Sequence, residues 1–181
     1  VAKMDMTRTD AYASDTWTRI NQTIASTNIV INADRAKITG DVTTLNHYLG
    51  EAYAIRALAH FDLLKLYGQQ YQESDRTKAL GVPYTKVFGK AIYPARETVQ
   101  RTYELIMEDL NAAISNLSAS KDNASAHYIT TFAAYALKAR IALFFEDWAT
   151  ARDAAKYVID HKGSRFDIAA PDDFAKTFTT D

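Results

Sequence analysis

The chain contains no cysteine. Disulfides, thiol nucleophiles and cysteine metal sites are therefore excluded within it, while the compartment stays open, because secreted proteins can also lack cysteine. Glycine and proline are scarce, at 6 and 3 in 181 residues, which points to long elements joined by a few loops. No run reaches the roughly 18 apolar residues of a membrane span, and no charged-then-apolar leader opens the chain. An excess of charge is lacking too: 21 Lys plus Arg stand against 22 Asp plus Glu. That balance gives no electrostatic reason to expect nucleic acid or an anionic membrane as a partner. The chain opens on Val1 and closes on DDFAKTFTTD, and it is expected to be part of a longer protein.

What is present is apolar periodicity. With 48% hydrophobic residues, the chain can bury a sizeable core in one domain spanning 1–181. Trp17, Ile20, Ile24 and Ile31 recur on one side of a helix expected over about 10–35. Asp41 suits the N-cap of a second helix, about 42–67. Leu45, Leu49, Ala52, Ala59 and Leu66 fill one arc of that helix, and Tyr53, Ala54, Ala57, Phe61 and Leu64 fill another. A helix apolar on two flanks packs between two neighbours. Thr98 caps a third helix striped by Val99, Tyr103, Ile106, Leu110, Ala113 and Leu117. A helical hairpin follows over 130–163, turning at Glu146, Asp147 and Trp148.

That hairpin resembles a tetratricopeptide repeat, with Ala139 and Ala151 at the small, helix-crossing positions and Trp148 in the turn. Glu146 stands where the turn usually has Gly. The fold class expected is all-α, a tetratricopeptide-like array with one long irregular loop over 69–97. Strands are scarce in this reading; GVPYTKVF (81–88) is the one stretch that could supply a short one. Loops of about 30 residues are uncommon in compact domains and are often functional. This one carries Tyr71, Tyr84, Phe88 and Tyr93, whose flat faces suit sugar rings or peptide side chains. They are the candidate ligand or partner contacts. Tyr84, beside Val82 and Pro83, is the one best suited to anchoring the loop, and Tyr71, among glutamines, the one best suited to solvent.

No catalytic constellation is visible. The four histidines, His47, His60, His127 and His161, are scattered without zinc spacing, and the nucleophile-elbow, P-loop and dinucleotide motifs are missing. No cofactor, metal or enzymatic activity is expected. Arg56, His60 and Asp62, set among apolar residues of the second helix, are read as structural. Arg56 is expected to meet a carboxylate or carbonyls from a neighbouring helix, because buried polar side chains normally satisfy one another. Asp62 and Lys65, three apart, suit a local ion pair.

Four stretches carry a family resemblance in their order and spacing: EAYAIRALAHFDLLKLYG (51–68), GVPYTKVF, RETVQRTYELIMEDLNAAISNL (96–117) and ITTFAAYALKARIALFFEDWATARDAAKYVID (129–160). Together, over about 10–165, the chain resembles the SusD/RagB family of outer-membrane lipoproteins. The resemblance implies a non-catalytic lid on a SusC-like TonB-dependent transporter, capturing oligosaccharides or, in the RagB-like branch, oligopeptides. It also implies a cell-surface location through a signal peptide and lipidated cysteine, which this chain does not carry. The runner-up reading is a generic tetratricopeptide adaptor, against which the long aromatic loop counts, since stacked repeats use short turns.

Overall fold

A computed structural model of the chain describes residues 11–70, 75–89, 94–122, 127–162 and Asp172. Five helices and one small ladder make up the described part: α1 (Ala11–Ile31), α2 (Val42–Tyr67), β1 (Leu80–Pro83), β2 (Arg96–Thr98), α3 (Val99–Asn116), α4 (Thr131–Phe144) and α5 (Trp148–His161). The fold is mostly helical, as the periodicity implies.

Helix starts follow side-chain chemistry. Asp41 accepts from the backbone N–H groups of Thr43 and Thr44, Thr98 from Arg101, Thr130 from Ala133 and Asp147 from Thr150. Each satisfies donors that a helix start leaves without an intrahelical partner. α1 ends at Ile31, short of the expected boundary, and a single 3-10 turn (Arg35–Lys37) capped by Asp34 leads on to α2.

α2 is the central helix, packed on α1 along one flank and on α3 along the other. This is why its apolar residues spread over two arcs instead of one. Ile24, Phe61, Leu63, Ile106 and Leu110 are nearly or fully buried in the core so formed. Gly50 lets α2 approach the end of α3. A Cβ there would lie 2.7 Å from Leu117 Cγ and 2.9 Å from the Ala113 carbonyl.

The 69–97 segment is less irregular than expected. β1 pairs antiparallel with β2, Leu80 opposite Thr98 and Pro83 opposite Arg96, with a register shift between the two pairs. Gly81 lies against α3 in this ladder, where a Cβ would collide with Thr102 Oγ1 and the Thr98 carbonyl.

The α4–α5 hairpin corrects two expectations. Ala151 is buried, but Ala139 is only half-buried, and the close-packed small residues of α4 are Ala134 and Ala142, both 0% exposed. The helical phase places Ala139 off the line that meets α3 and α5. Trp148 is 63% exposed at the first position of α5, so its ring holds nothing in the turn. The neighbouring Asp147 does, capping α5 and accepting the Tyr103 hydroxyl at 2.9 Å.

α4 ends in a Schellman motif: the Asp147 N–H donates to Ala142 O at 2.9 Å and the Glu146 N–H to Leu143 O at 3.1 Å. The motif needs a left-handed residue, and Glu146 supplies it at φ 59°. A left-handed L-residue costs roughly 1–2 kcal/mol, and glycine's greater unfolded-state freedom offsets about half of that. Glu146→Gly is therefore expected to stabilise the chain by about 0.5–1 kcal/mol. The check is the urea midpoint at unchanged slope; a lower midpoint contradicts the strain.

Candidate functional site

Beyond β1 the chain runs as a strap, residues 84–89, across the C-terminal part of α1 and the middle stretches of α2 and α3. Its backbone has no strand partner there and is held by side chains. Asn28 on α1 donates through Nδ2 to the carbonyls of Thr85 (3.0 Å) and Val87 (3.4 Å), and Asn32 donates to that of Lys86 (2.9 Å). On α2, His60 Nε2 accepts the Thr85 N–H at 3.1 Å.

Beneath the strap lies a buried polar cluster. Arg56 on α2 grips Asp109 on α3 in a two-pronged pair, with Nε and an Nη each 2.7 Å from a carboxylate oxygen. The other Nη donates to Asn28 Oδ1 at 2.7 Å, so the residue that hooks the strap is itself oriented by Arg56. The Tyr84 hydroxyl donates to Asp109 Oδ2 at 2.6 Å, and its ring stacks on His60 at 3.7 Å. Arg56 and Asp109 side chains are each 4% exposed. Burial opposes the Arg56 charge, but the hydrogen bonds and charge of Asp109 outweigh it and raise the guanidinium pKa. Burial and the adjacent Asp109 carboxylate push the Tyr84 phenol well above its ordinary value. Tyr84 is thus a neutral donor.

His60 is 0% exposed. Its Nδ1 lies 2.9 Å from the Arg56 carbonyl, which only accepts. Nδ1 must therefore carry the proton, leaving the Nε2 lone pair for Thr85. Burial lowers its pKa from 6.5 to about 4.

The candidate residues thus separate. Arg56 and His60 belong to one buried cluster. Asp62 does not: its side chain is 38% exposed and meets only Lys65, at 2.8 Å, because the helical phase turns it away from α3. Tyr84 is corrected as a ligand contact. It is 7% exposed, with its ring on His60 and its hydroxyl on Asp109, so no face is left for a ligand. Phe88, at the outer end of the strap, is 64% exposed, and Val87 beside it 47%. Tyr71 and Tyr93 lie outside the described residues.

Sequence reasoning missed Asn28, Thr85 and Asp109. Asp109 carried a signal: it falls three residues after Ile106 and four before Ala113, inside the buried stripe of α3. A carboxylate there needs a buried partner. Asn28, four residues after Ile24, carried a weaker one. Thr85 carried none, since its part is played by the backbone N–H.

Elsewhere, a cleft of about 310 Å³ opens between the C-terminal ends of α2 and α4, floored by Leu64, Val99 and Phe145 and rimmed by Lys65, Gln69 and Phe144. Among the described residues, no three His, Asp or Glu side chains gather as metal ligands would, and no helix is long and apolar enough to cross a membrane.

In this helical array the buried Arg56–Asp109 pair orients the side chains that hold the strap, and Phe88 stands exposed at the strap's outer end. The chain belongs to the SusD-like family: the family model described as "Starch-binding associating with outer membrane" matches residues 2–143. It is 27% identical over 145 residues to a SusD-like protein of Bacteroides ovatus, covering 79% of this chain and 24% of that one. A SusD superfamily protein from Bacteroides thetaiotaomicron matches in structure with a TM-score of 0.81 and 30% identity, over 96% of this chain and 40% of that one. Another, from Bacteroides vulgatus, matches with a TM-score of 0.78 and 30% identity, over 90% and 37%. The chain therefore spans less than half the length of these relatives. Family members are binding proteins without catalytic activity, and the family is associated with the outer membrane.

Proposed function

We propose that this chain is the N-terminal helical part of an oligosaccharide-binding protein at the outer-membrane surface, anchored as a lipoprotein. In this reading it delivers its ligand to a SusC-like TonB-dependent transporter. The observation that carries the reading is the family match over residues 2–143. The strap gives it a physical basis. A contact segment held by five hydrogen bonds to α1 and α2 loses little conformational freedom when a partner arrives, which favours binding. Arg56, Asp109, His60 and Tyr84 position that segment, and Phe88 offers its ring to a sugar face or to the transporter.

The experiment is titration calorimetry of the full-length protein against a panel of oligosaccharides, with oligopeptides as the competing class. Phe88→Ala is expected to leave stability within about 0.5 kcal/mol, as at ordinary surface positions. It is expected to weaken oligosaccharide capture or co-purification with the transporter at least about tenfold, as an exposed aromatic anchor does. Peptide binding without any glycan binding contradicts the ligand class. A Phe88→Ala protein unchanged in stability, capture and docking contradicts the role given to the strap.

A further inference from the structure

The hooks that hold the strap differ in chemistry. Asn28 and Asn32 are amides, with no charge to gain or lose over ordinary pH. Among the hooks from α1 and α2, His60 is the one whose charge changes in the acid range; from α3, Asp109 takes the Tyr84 hydroxyl and Glu108 pairs with Lys86 at 3.1 Å. The His60 Nδ1 proton is committed to the Arg56 carbonyl at 2.9 Å, and its Nε2 lone pair takes the Thr85 N–H at 3.1 Å. A second proton can only be taken up at Nε2, where it would face the Thr85 N–H, donor against donor. The ring is fully buried and stacked on Tyr84 at 3.7 Å, so it cannot turn away without moving the strap.

We propose that the His60–Thr85 contact is an acid-sensitive latch: protonation of His60 at Nε2 releases strap residues 84–88 from α2 while the helices stay packed. One proton is taken from solvent, and the Thr85 N–H passes from His60 to water. Charges reach His60 from each side. Arg56 on its own helix and Lys86 on the strap oppose its protonation, and Asp109 on α3 favours it. Tyr84 faces it as a neutral phenol, and Glu108 on α3 pairs with Lys86 at 3.1 Å and offsets its charge. Arg56 and Asp109 largely cancel, being paired with each other, so burial sets the acid range near pH 4. The helices do not depend on Nε2. The Arg56–Asp109 pair and the apolar contacts of Phe61, Leu63, Ile106 and Leu110 join α2 to α3 without it.

The absence of native cysteine makes the test direct. A single Phe88→Cys variant of the full chain, carrying a fluorescent label, reports strap mobility by anisotropy while far-UV circular dichroism reports the helices. On lowering the pH from 7 to 3.5, anisotropy is expected to fall reversibly with a midpoint near pH 4, the helical signal persisting through that midpoint. Adding His60→Gln, a non-titrating amide, is expected to abolish the fall. Should His60→Gln fail to fold, proton NMR of the His60 ring in the wild-type sequence decides instead, its titration expected to share the label's midpoint. The latch is overturned by an equal fall in the His60→Gln protein, by a fall only together with the helical signal, by a His60 titration unlinked to the label, or by no fall down to pH 3.5.

Discussion

Replacing Asp109 by alanine is expected to remove about 3–5 kcal/mol of stability, the usual cost of leaving a buried charge without its partner. Arg56 would keep only Asn28 as a strong acceptor at 2.7 Å, with the Lys86 carbonyl at the limit of hydrogen-bond distance. Its charge would then sit uncompensated in a site 3–4% exposed. Tyr84 would lose its 2.6 Å acceptor and be left with the Leu105 carbonyl at 3.2 Å. Since a domain of this size is stable by roughly 5–15 kcal/mol, such a loss is a large share of the total. The measurement is a urea midpoint at unchanged slope. Two comparisons sharpen it. Asp62→Ala, which breaks a half-exposed pair, is expected to cost no more than about 0.5 kcal/mol. The double variant Arg56→Met/Asp109→Leu is expected to cost clearly less than the two single changes added together, because it removes both charges. Additive losses would contradict a coupled buried pair.

Acid is expected to destabilise the chain in a window set by His60. Its folded-state pKa of about 4 lies below the ordinary value of 6.5, so between those values the unfolded chain binds the extra proton. Stability from this group is therefore fully present above about pH 6.5, is lost as pH falls and levels off below about pH 4. The depression corresponds to about 3 kcal/mol. Urea titrations at pH 7.5, 5.5 and 4 read it directly, and the His60→Gln protein is expected to show a flatter profile across the same window. Carboxylates also titrate near the lower end, which is why the difference between the two proteins is the quantity that matters. Parallel profiles would contradict the assignment of Nε2 as an obligate acceptor.

The fold was legible where one helix sufficed to specify it. Asp41, Thr98 and Thr130 announce helix starts through local hydrogen bonding, and the two apolar arcs of α2 imply two neighbours before either is located. The polar cluster was legible by half. A buried Arg56 demands an acceptor, and the sequence places that acceptor on a neighbouring helix. Which one it is depends on how α2 and α3 cross, 53 residues apart in the chain. Asp109 was passed over although it lies in the buried stripe of α3, because its neighbour Glu108 is equally acidic and the letters alone do not say which of the two faces inward. Here Glu108 faces solvent and Lys86 while Asp109 faces Arg56. The strap was the least legible part. Val82 and Pro83, beside Tyr84, marked it as the anchor, and it is buried on His60 and Asp109, but nothing local marked Phe88 as the exposed one. β2 escaped because three residues, Arg96–Thr98, are too few to show alternation.

The central structural claim is that side chains of α1 and α2 hold the strap as an ordered segment at neutral pH. Amide hydrogen exchange of Thr85 at pH 7, in the unaltered chain, tests it most directly. If its N–H is bound to neutral His60 as described, Thr85 is expected to exchange far more slowly than an open loop, through local openings less costly than those that expose Leu105 and Ile106 in α3. Exchange of Thr85 at the rate of an open loop, while α3 stays protected, would contradict the account.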